Sequence, residues 1–362
     1  MESYLMTDTY RYSELAQQYQ NFMVPAYKIT IGGKNIVTDC KMYPESISIT
    51  LSLKSASSVS IKLTGVYDRE KSSLSSAAKN VLKLGNTVMV RIGYGSSLEL
   101  VFKGYIHEVS ADFSDTPSIS VTAMDVRRLM MDYTVDNYVH TVSTYSDAFE
   151  SVMKKYKKLA NTKVDSTQTI KEGDNAIEGI IQKGSDYEFI HKVLCKVEER
   201  EFFVFADMAY YRTPKGNKSP SITLNWGEAL ISFRKNSLYK DTAIQVLGYS
   251  MNKDQVTAKA TAVSDSKAVK PISQTQMKTI IVPNMSDKTK AEKRAKREAE
   301  KEKEKSQQGN GQCIGLPQIV PGRYITLGKL DSTIDGSYYV SQVEHSIGAD
   351  GFVTSFEIGG YK

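Results

Sequence analysis

The side chains that could carry chemistry are few and scattered. Four histidines occur in 362 residues. His107 stands beside Glu108 in a strand-like run, His140 in a linker, His191 in a helical run, and His345 beside Glu344 near the end of another strand. A His-Glu pair could serve as a general base and its orienter, but neighbours on a strand point to opposite faces, so neither pair is a natural dyad. Asp186, Glu188, Glu198 and Glu199 could supply the paired carboxylates of glycoside hydrolysis. Two stand at a helix start and two at its end, too far apart to cooperate, and Asp186 reads as a helix cap. Cys40, Cys195 and Cys313 form no C-x-x-C pair and read as buried thiols of a protein made in a reducing cytoplasm, not as metal ligands. No Walker, nucleophile-elbow, H-E-x-x-H or EF-hand pattern is present. Gly93-Tyr94-Gly95 lies between two strands with no helix after it, which makes it a hairpin and not a nucleotide loop. Without a nucleophile, base and orienter in one pattern, no catalytic, cofactor-binding or metal-ligating residue is expected, and the chain reads as non-enzymatic.

Composition agrees with a folded protein of two or three domains, at 40% apolar and 24% charged residues. No run of eighteen apolar residues and no signal-peptide pattern occurs, so no membrane insertion by this chain is expected. The net charge is +6. Residues 287–305 hold nine basic and six acidic side chains, half of that excess, and the rest is near neutral. Sequence-specific nucleic-acid binding is therefore not expected. The charged run carries only Ala291, Ala295 and Ala299 as an apolar stripe, which suits a surface or inter-subunit helix.

The elements are mostly strands. After a polar leader (1–22), whose order the sequence leaves open, YKITIGG, ESISITLSL and SVSIKLTGV alternate apolar and polar residues, followed by a helix over 68–83 and by NTVMVRIGYG, LELVFKGYIHEVSADF and SISVTAMD. Residues 23–133 read as a small antiparallel barrel. Residues 134–218 read as an α/β module, with a helix capped by Ser146 or Asp147, a second capped by Ser185 or Asp186, and the strands EFFVFAD and MAYYR. Residues 219–362 read as a second barrel with a charged helical excursion at about 285–312 and a flexible QQGNGQ segment. The expected class is α+β, mainly β: two similar tube-like antiparallel barrels flanking a small α/β domain.

The two β regions read as copies. LGNTVMVRI matches PGRYITLGKL, GYIHEVSADF matches GSYYVSQVEHSI, and SISVTAMD matches FVTSFEIGG; Gly85 corresponds to Gly322 and Gly104 to Gly336, and the helix before each first strand is matched too. Three such chains would expose six similar edges, so a threefold ring could dock on a sixfold one. Trp226 and the 22 tyrosines suit protein interfaces, with carbohydrate binding as the alternative.

Three segments resemble the late control protein D family, the baseplate hubs of contractile phage tails, related to the N-terminal part of valine-glycine repeat spike proteins. KGSDYEFIHKVLCKVEEREFFVF resembles that family's helix and aromatic strand, with Asp186 and Phe189. ITLNWGEALISF is similar to its strand-turn-strand, with Trp226 and Gly227. The closing segment is similar through Pro321, Gly322, Gly336, Tyr339 and His345. The resemblance implies a homotrimer forming a pseudo-sixfold ring between a hexameric tail tube protein and a separate trimeric spike, with baseplate wedge or tape-measure proteins as further partners. It also implies assembly into a phage tail or injection particle after synthesis in the cytoplasm. The rival is a carbohydrate- or cell-surface-binding β module; a peptidoglycan hydrolase would need an acidic pair this sequence lacks.

Overall fold

In the computed structural model, residues 3–167, 179–238, 242–250, 255–263, 276–283 and 287–359 are described. By compactness the chain divides into one unit of residues 1–232 with 311–356 and a second of 233–310 with 357–362. The fold is α+β, mainly β.

The leader, whose order the sequence leaves open, is ordered from residue 3 onward. It contains α1 (Tyr12–Gln18) and buries Leu5, Met6, Leu15 and Tyr19. These apolar residues are too irregularly spaced to signal an element, yet each side chain taken from water stabilises by about 1.5–3 kcal/mol. The Arg323 guanidinium, itself buried, fixes the leader by donating to the carbonyls of Leu5 (3.1 Å) and Asp8 (2.9 Å).

The first β region comprises β1 (Pro25–Ile31), β2 (Tyr43–Ser52), β3 (Ser58–Thr64), the short helix α2 (Ser76–Val81), β4 (Thr87–Tyr94), β5 (Ser97–Asp112) and β6 (Ser118–Met124). Alternation sends Ile47, Ile49, Leu51, Val59, Ile61, Leu63, Val88, Val90 and Ile92 into the core. α2 is shorter than its periodicity predicts because Tyr67–Asp68 and Ser73–Leu74 form a small strand pair ahead of it.

The middle segment contains α3 (Val126–Asp132), β7 (Thr134–His140), α4 (Tyr145–Met153), β8 (Asn161–Val164) and β9 (Ile180–Ser185). Next comes α5, built of Asp186–Glu188, a π-helical Phe189–Leu194 and Cys195–Val197, and then β10 (Glu201–Phe205) and β11 (Met208–Arg212). Phe149, Val152, Phe189, Ile190, Leu194, Phe202 and Tyr211 share one core. α4 is capped by Thr144, which accepts from the Asp147 N–H at 3.0 Å, not by Ser146 or Asp147. α5 is capped by Ser185, which accepts from the Glu188 N–H at 3.1 Å.

The last region comprises β12 (Pro220–Asn225), β13 (Leu230–Ser237), β14 (Thr242–Ser250), β15 (Gln255–Val263), β16 (Gln276–Pro283), α6 (Lys288–Ser306), β17 (Gln307–Ile314), β18 (Tyr324–Gly328), β19 (Gly336–Gly348) and β20 (Gly351–Ile358). In the second unit β14 lies between β15 and β16. The Ala291, Ala295 and Ala299 stripe of α6 packs on Ile244, Val246, Ala258 and Ala260, so the helix covers a sheet of its own unit. The QQGNGQ segment is the strand β17 and not a flexible linker. Its glycines are required by close packing, since a Cβ on Gly311 would lie 2.5 Å from the Phe356 ring.

The two β regions have the same strand connectivity. The first is ordered β1-β4-β5-β6-β3-β2 and the second β12-β18-β19-β20-β17-β13. Each follows the same chain order, with one difference: β1 meets β4 antiparallel, whereas β12 meets β18 in parallel. α6 precedes β17 and therefore is not the counterpart of α2, which precedes β4; it belongs to an excursion standing where the first copy has only the turn of residues 53–57. Nor do the copies form two closed barrels. Antiparallel pairing of β19 with β2, from Gln342 with Ser52 to Ile347 with Ile47, joins them into one open path among the described strands.

Candidate functional site

No single pocket gathers the positions singled out in the sequence; they fall on a repeated strand junction and on three buried polar networks.

The junction is built twice. Gly85 has φ +82° and Gly322 φ +85°, a left-handed conformation that glycine adopts without strain. The Gly85 N–H donates to the Ile106 carbonyl and the Ile106 N–H to the Asn86 carbonyl; the Gly322 N–H donates to the Val340 carbonyl and the Val340 N–H to the Arg323 carbonyl, all at 2.9 Å. This reciprocal latch sets the start of β4 on β5 and of β18 on β19, and makes Tyr105 the counterpart of Tyr339, opposite Thr87 and Tyr324. The same count shifts the expected match of Gly104 with Gly336 by two residues. Gly104 faces Val88, three residues after Gly85, whereas Gly336 faces Leu327, five after Gly322. The two glycines also do different work: a Cβ on Gly104 would lie 2.2 Å from the Met124 carbonyl oxygen, and one on Gly336 meets nothing within 4 Å.

Around the second latch the surroundings are polar. Pro321 and Gly322 are buried, and the Gly322 carbonyl accepts from Arg212 at 2.5 Å. Arg212 also pairs with the buried Glu201 at 2.9 Å, and the Tyr339 hydroxyl donates to the same carboxylate at 2.9 Å. Burial pushes the Glu201 carboxyl up against the opposing pull of Arg212 and Tyr339. His345 lies fully buried, its Nδ1 2.9 Å from the Thr354 hydroxyl, and its Nε2 has no hydrogen-bond partner among the described residues. Thr354 Oγ1 also accepts from the Leu316 N–H at 2.9 Å, so the hydroxyl ties the ring to the segment after β17. Desolvation holds the imidazole neutral, down to about 3.

The middle segment carries the second network. Asp186 is no cap. It is fully buried and receives Lys155 Nζ at 3.0 Å, the Tyr156 hydroxyl at 2.7 Å and Gln182 Nε2 at 2.6 Å. Gln182 in turn faces His140 Nε2 at 2.7 Å, and that ring stacks on Phe189 with centroids 5.1 Å apart. His140 is thus the buried last residue of the otherwise largely exposed strand β7, not part of a linker. Sequence reasoning missed this assembly because its members come from β7, the 3-10 turn Lys154–Tyr156 that follows α4, β9 and α5; the only local signal was a carboxylate next to a cap. The third network is Arg127, fully buried, which holds Asp125 at 2.7 Å and donates to the Ser52 carbonyl and the Ser57 hydroxyl, pinning the β2–β3 turn to α3.

Trp226 is 57% exposed and its backbone N–H donates to the Gly328 carbonyl; Gly227 turns the chain behind it at φ +82°. Glu188 is exposed and bound to Lys192, so it does not cooperate with Asp186. The three cysteines are free and buried, and burial pushes the Cys195 and Cys313 thiols up. Among the described residues no group of three or more His, Cys, Asp or Glu is placed to hold a metal ion, and no helix is long and apolar enough to cross a membrane. The buried ion pairs of Arg127, Asp186 and Glu201 tie segments of the chain together.

A family model described as the Alg8 N-terminal domain matches residues 21–349. No curated protein matches the chain. Among solved structures the chain is similar to a tail protein from Neisseria meningitidis MC58, with 14% identity, 93% of this chain and 96% of that one covered, and a TM-score of 0.67. It is also similar to the 43 kDa tail protein of prophage MuSo2 from Shewanella oneidensis, with 16% identity, 92% and 97% covered, and a TM-score of 0.68. An E. coli component of the type VI secretion system, described as structurally similar to the T4 bacteriophage tail proteins gp27 and gp5, matches with 12% identity, 92% and 77% covered, and a TM-score of 0.52. At these identities the likeness is one of fold.

Proposed function

The chain belongs to the family of the Alg8 N-terminal domain; from its duplicated sheet and its likeness in fold to tail proteins we propose that it is a structural baseplate hub of the late control protein D kind. Three copies form a pseudo-sixfold ring that joins a hexameric tail tube to a separate trimeric spike, with wedge or tape-measure proteins around it. The observation that carries this reading is the duplicated strand connectivity, which gives one polypeptide two near-equivalent edges and lets a threefold object match a sixfold one. The leader (1–22), first copy (23–133), middle segment (134–218) and second copy (219–362) then serve as the parts of one hub subunit. Gly85, Gly104, Asp186, Phe189, Trp226, Gly227, Pro321, Gly322, Gly336, Tyr339 and His345 act as structural positions of that plan. The role is mechanical and non-enzymatic, and the chain ends in a virion-type or injection particle after synthesis in the cytoplasm.

Native mass spectrometry and negative-stain imaging of the purified chain test this. A threefold ring whose outline repeats six times is the expected result. A monomer that binds glycans at micromolar concentration through the Trp226 face would replace it with the surface-binding module.

A further inference from the structure

The leader occupies a seat that fits it imperfectly. It lies across both copies within the first unit: the Tyr4 hydroxyl donates to Glu99 on β5, and the Arg323 guanidinium, just ahead of β18, holds the Leu5 and Asp8 carbonyls. From there it meets the edge of β12 that faces away from β18. The Thr9 hydroxyl donates to the Pro220 carbonyl at 2.9 Å, the Tyr10 N–H donates to the Ser221 carbonyl at 2.7 Å, and Tyr10 forms a parallel bridge with Ile222. Further on, Gln318 donates to the Tyr19 hydroxyl at 2.6 Å, and the Phe22 ring stands 5.3 Å from that of Tyr94.

Two costs oppose this docking. Gln20, Asn21 and Phe22 have φ of +48°, +55° and +61°, three left-handed residues in a row without a glycine, where side-chain-bearing residues adopt that conformation singly and under strain. The seat also buries polar atoms that it does not satisfy. The Tyr10 hydroxyl, Ser221 Oγ, Gln318 Oε1 and Arg323 Nε have no hydrogen-bond partner among the described residues, and each gives up water without return. Both costs fall on the docked leader and both vanish when it leaves. Segments held on such terms open locally while the rest of a protein stays folded.

We propose that the leader is a releasable strap: residues 3–19 lift from the body as one piece, with residues 20–22 as the hinge, and the seat they leave takes an extended segment of a partner chain. The leader itself shows what that segment must offer. It needs an N–H for the Ser221 carbonyl, added to the β12 edge as a strand is added to a sheet. It needs two carbonyls, three residues apart as in Leu5 and Asp8, for the buried Arg323 guanidinium. And it needs apolar side chains to fill the places of Leu5, Met6 and Leu15. The strap is contained in one chain, so it stands or falls independently of the ring.

Hydrogen exchange of the full chain tests the strap. The amides of Tyr10, Leu15 and Tyr19, which donate to the carbonyls of Ser221, Arg11 and Leu15, are expected to exchange with one common opening constant, about tenfold or more above that of the β4 amides beneath them. Gln20 and Asn21 are exposed, so Gln20→Gly with Asn21→Gly acts on the backbone alone and should lower that constant about fivefold, strain relief outweighing the extra freedom of the released chain. Tyr10→Phe, which removes a buried hydroxyl without a partner, should lower it as well. A fluorescent peptide of residues 3–19 then probes the seat: the full chain should bind it with an apparent affinity scaled by the open fraction, and therefore about fivefold more weakly in the glycine variant. Leader amides that exchange only together with β4, or an opening constant that the glycine pair leaves unchanged or raises, overturn the strap. A leader that opens as described in a chain that takes up no peptide overturns the docking role.

Discussion

His345→Gln isolates the energetic cost of one buried imidazole. In the folded chain the ring stays neutral down to about 3, against an ordinary value of 6.5, because desolvation disfavours its charged form. A lowered histidine makes the unfolded state bind the extra proton first, so folding stability is complete above the unfolded value and falls as pH drops through it. Between pH 7 and pH 4.5 the native chain loses about 2.6 kcal/mol from this residue alone, with a slope of about 1.4 kcal/mol per pH unit below 6. The loss would level off only near pH 3. Urea melts of the native chain and the variant at pH 7, 5.5 and 4.5 separate this contribution from that of the carboxylates, which both proteins share. The stability difference between the two should move in the variant's favour by about 2.6 kcal/mol over that interval. Parallel pH profiles would refute the assignment of His345 as a neutral, water-excluded ring bound to Thr354.

Asp186→Asn leaves Lys155 facing a neutral amide and weakens the Tyr156 and Gln182 bonds; a loss of about 3 kcal/mol in urea melts is expected, partly recovered by adding Lys155→Met. Gly322→Ala forces a left-handed alanine whose Cβ would lie 2.7 Å from Arg212, whereas Gly85→Ala meets open space. Thermal unfolding should show about 1 kcal/mol lost at Gly85 and about 3 kcal/mol or more at Gly322. Ala295→Glu places a charge under α6 against Ile244 and Val246 and should release the helix; faster tryptic cleavage within residues 288–306, with the first unit still resistant, is the readout.

The strands were legible because alternation is a local signal. Ile47, Ile49 and Leu51 announce their inward face without help from the rest of the chain. What was illegible depended on distant partners. Gly309 and Gly311 look like linker residues until Phe356 and Ile358 fill the space their missing side chains leave. The leader looked polar because the residue that fixes it, Arg323, lies near the other end of the sequence. Among the site positions, the order of Gly85 and Gly322 ahead of their strands was visible, but the two-residue shift at Gly104 required hydrogen-bond register. Asp186 was visible as a helix-start carboxylate, whereas its bonds to Lys155, Tyr156 and Gln182 could be read only from the fold.

Residues 238–306 occupy the position that five residues fill in the first copy. Their two attachment points are neighbouring strand ends already held together by β13 and β17, so lengthening or shortening the segment changes closure entropy only slowly. Evolution, or an engineer, can therefore exchange this appendage for another cargo, or for a bare turn, while the sheet that carries it keeps its order.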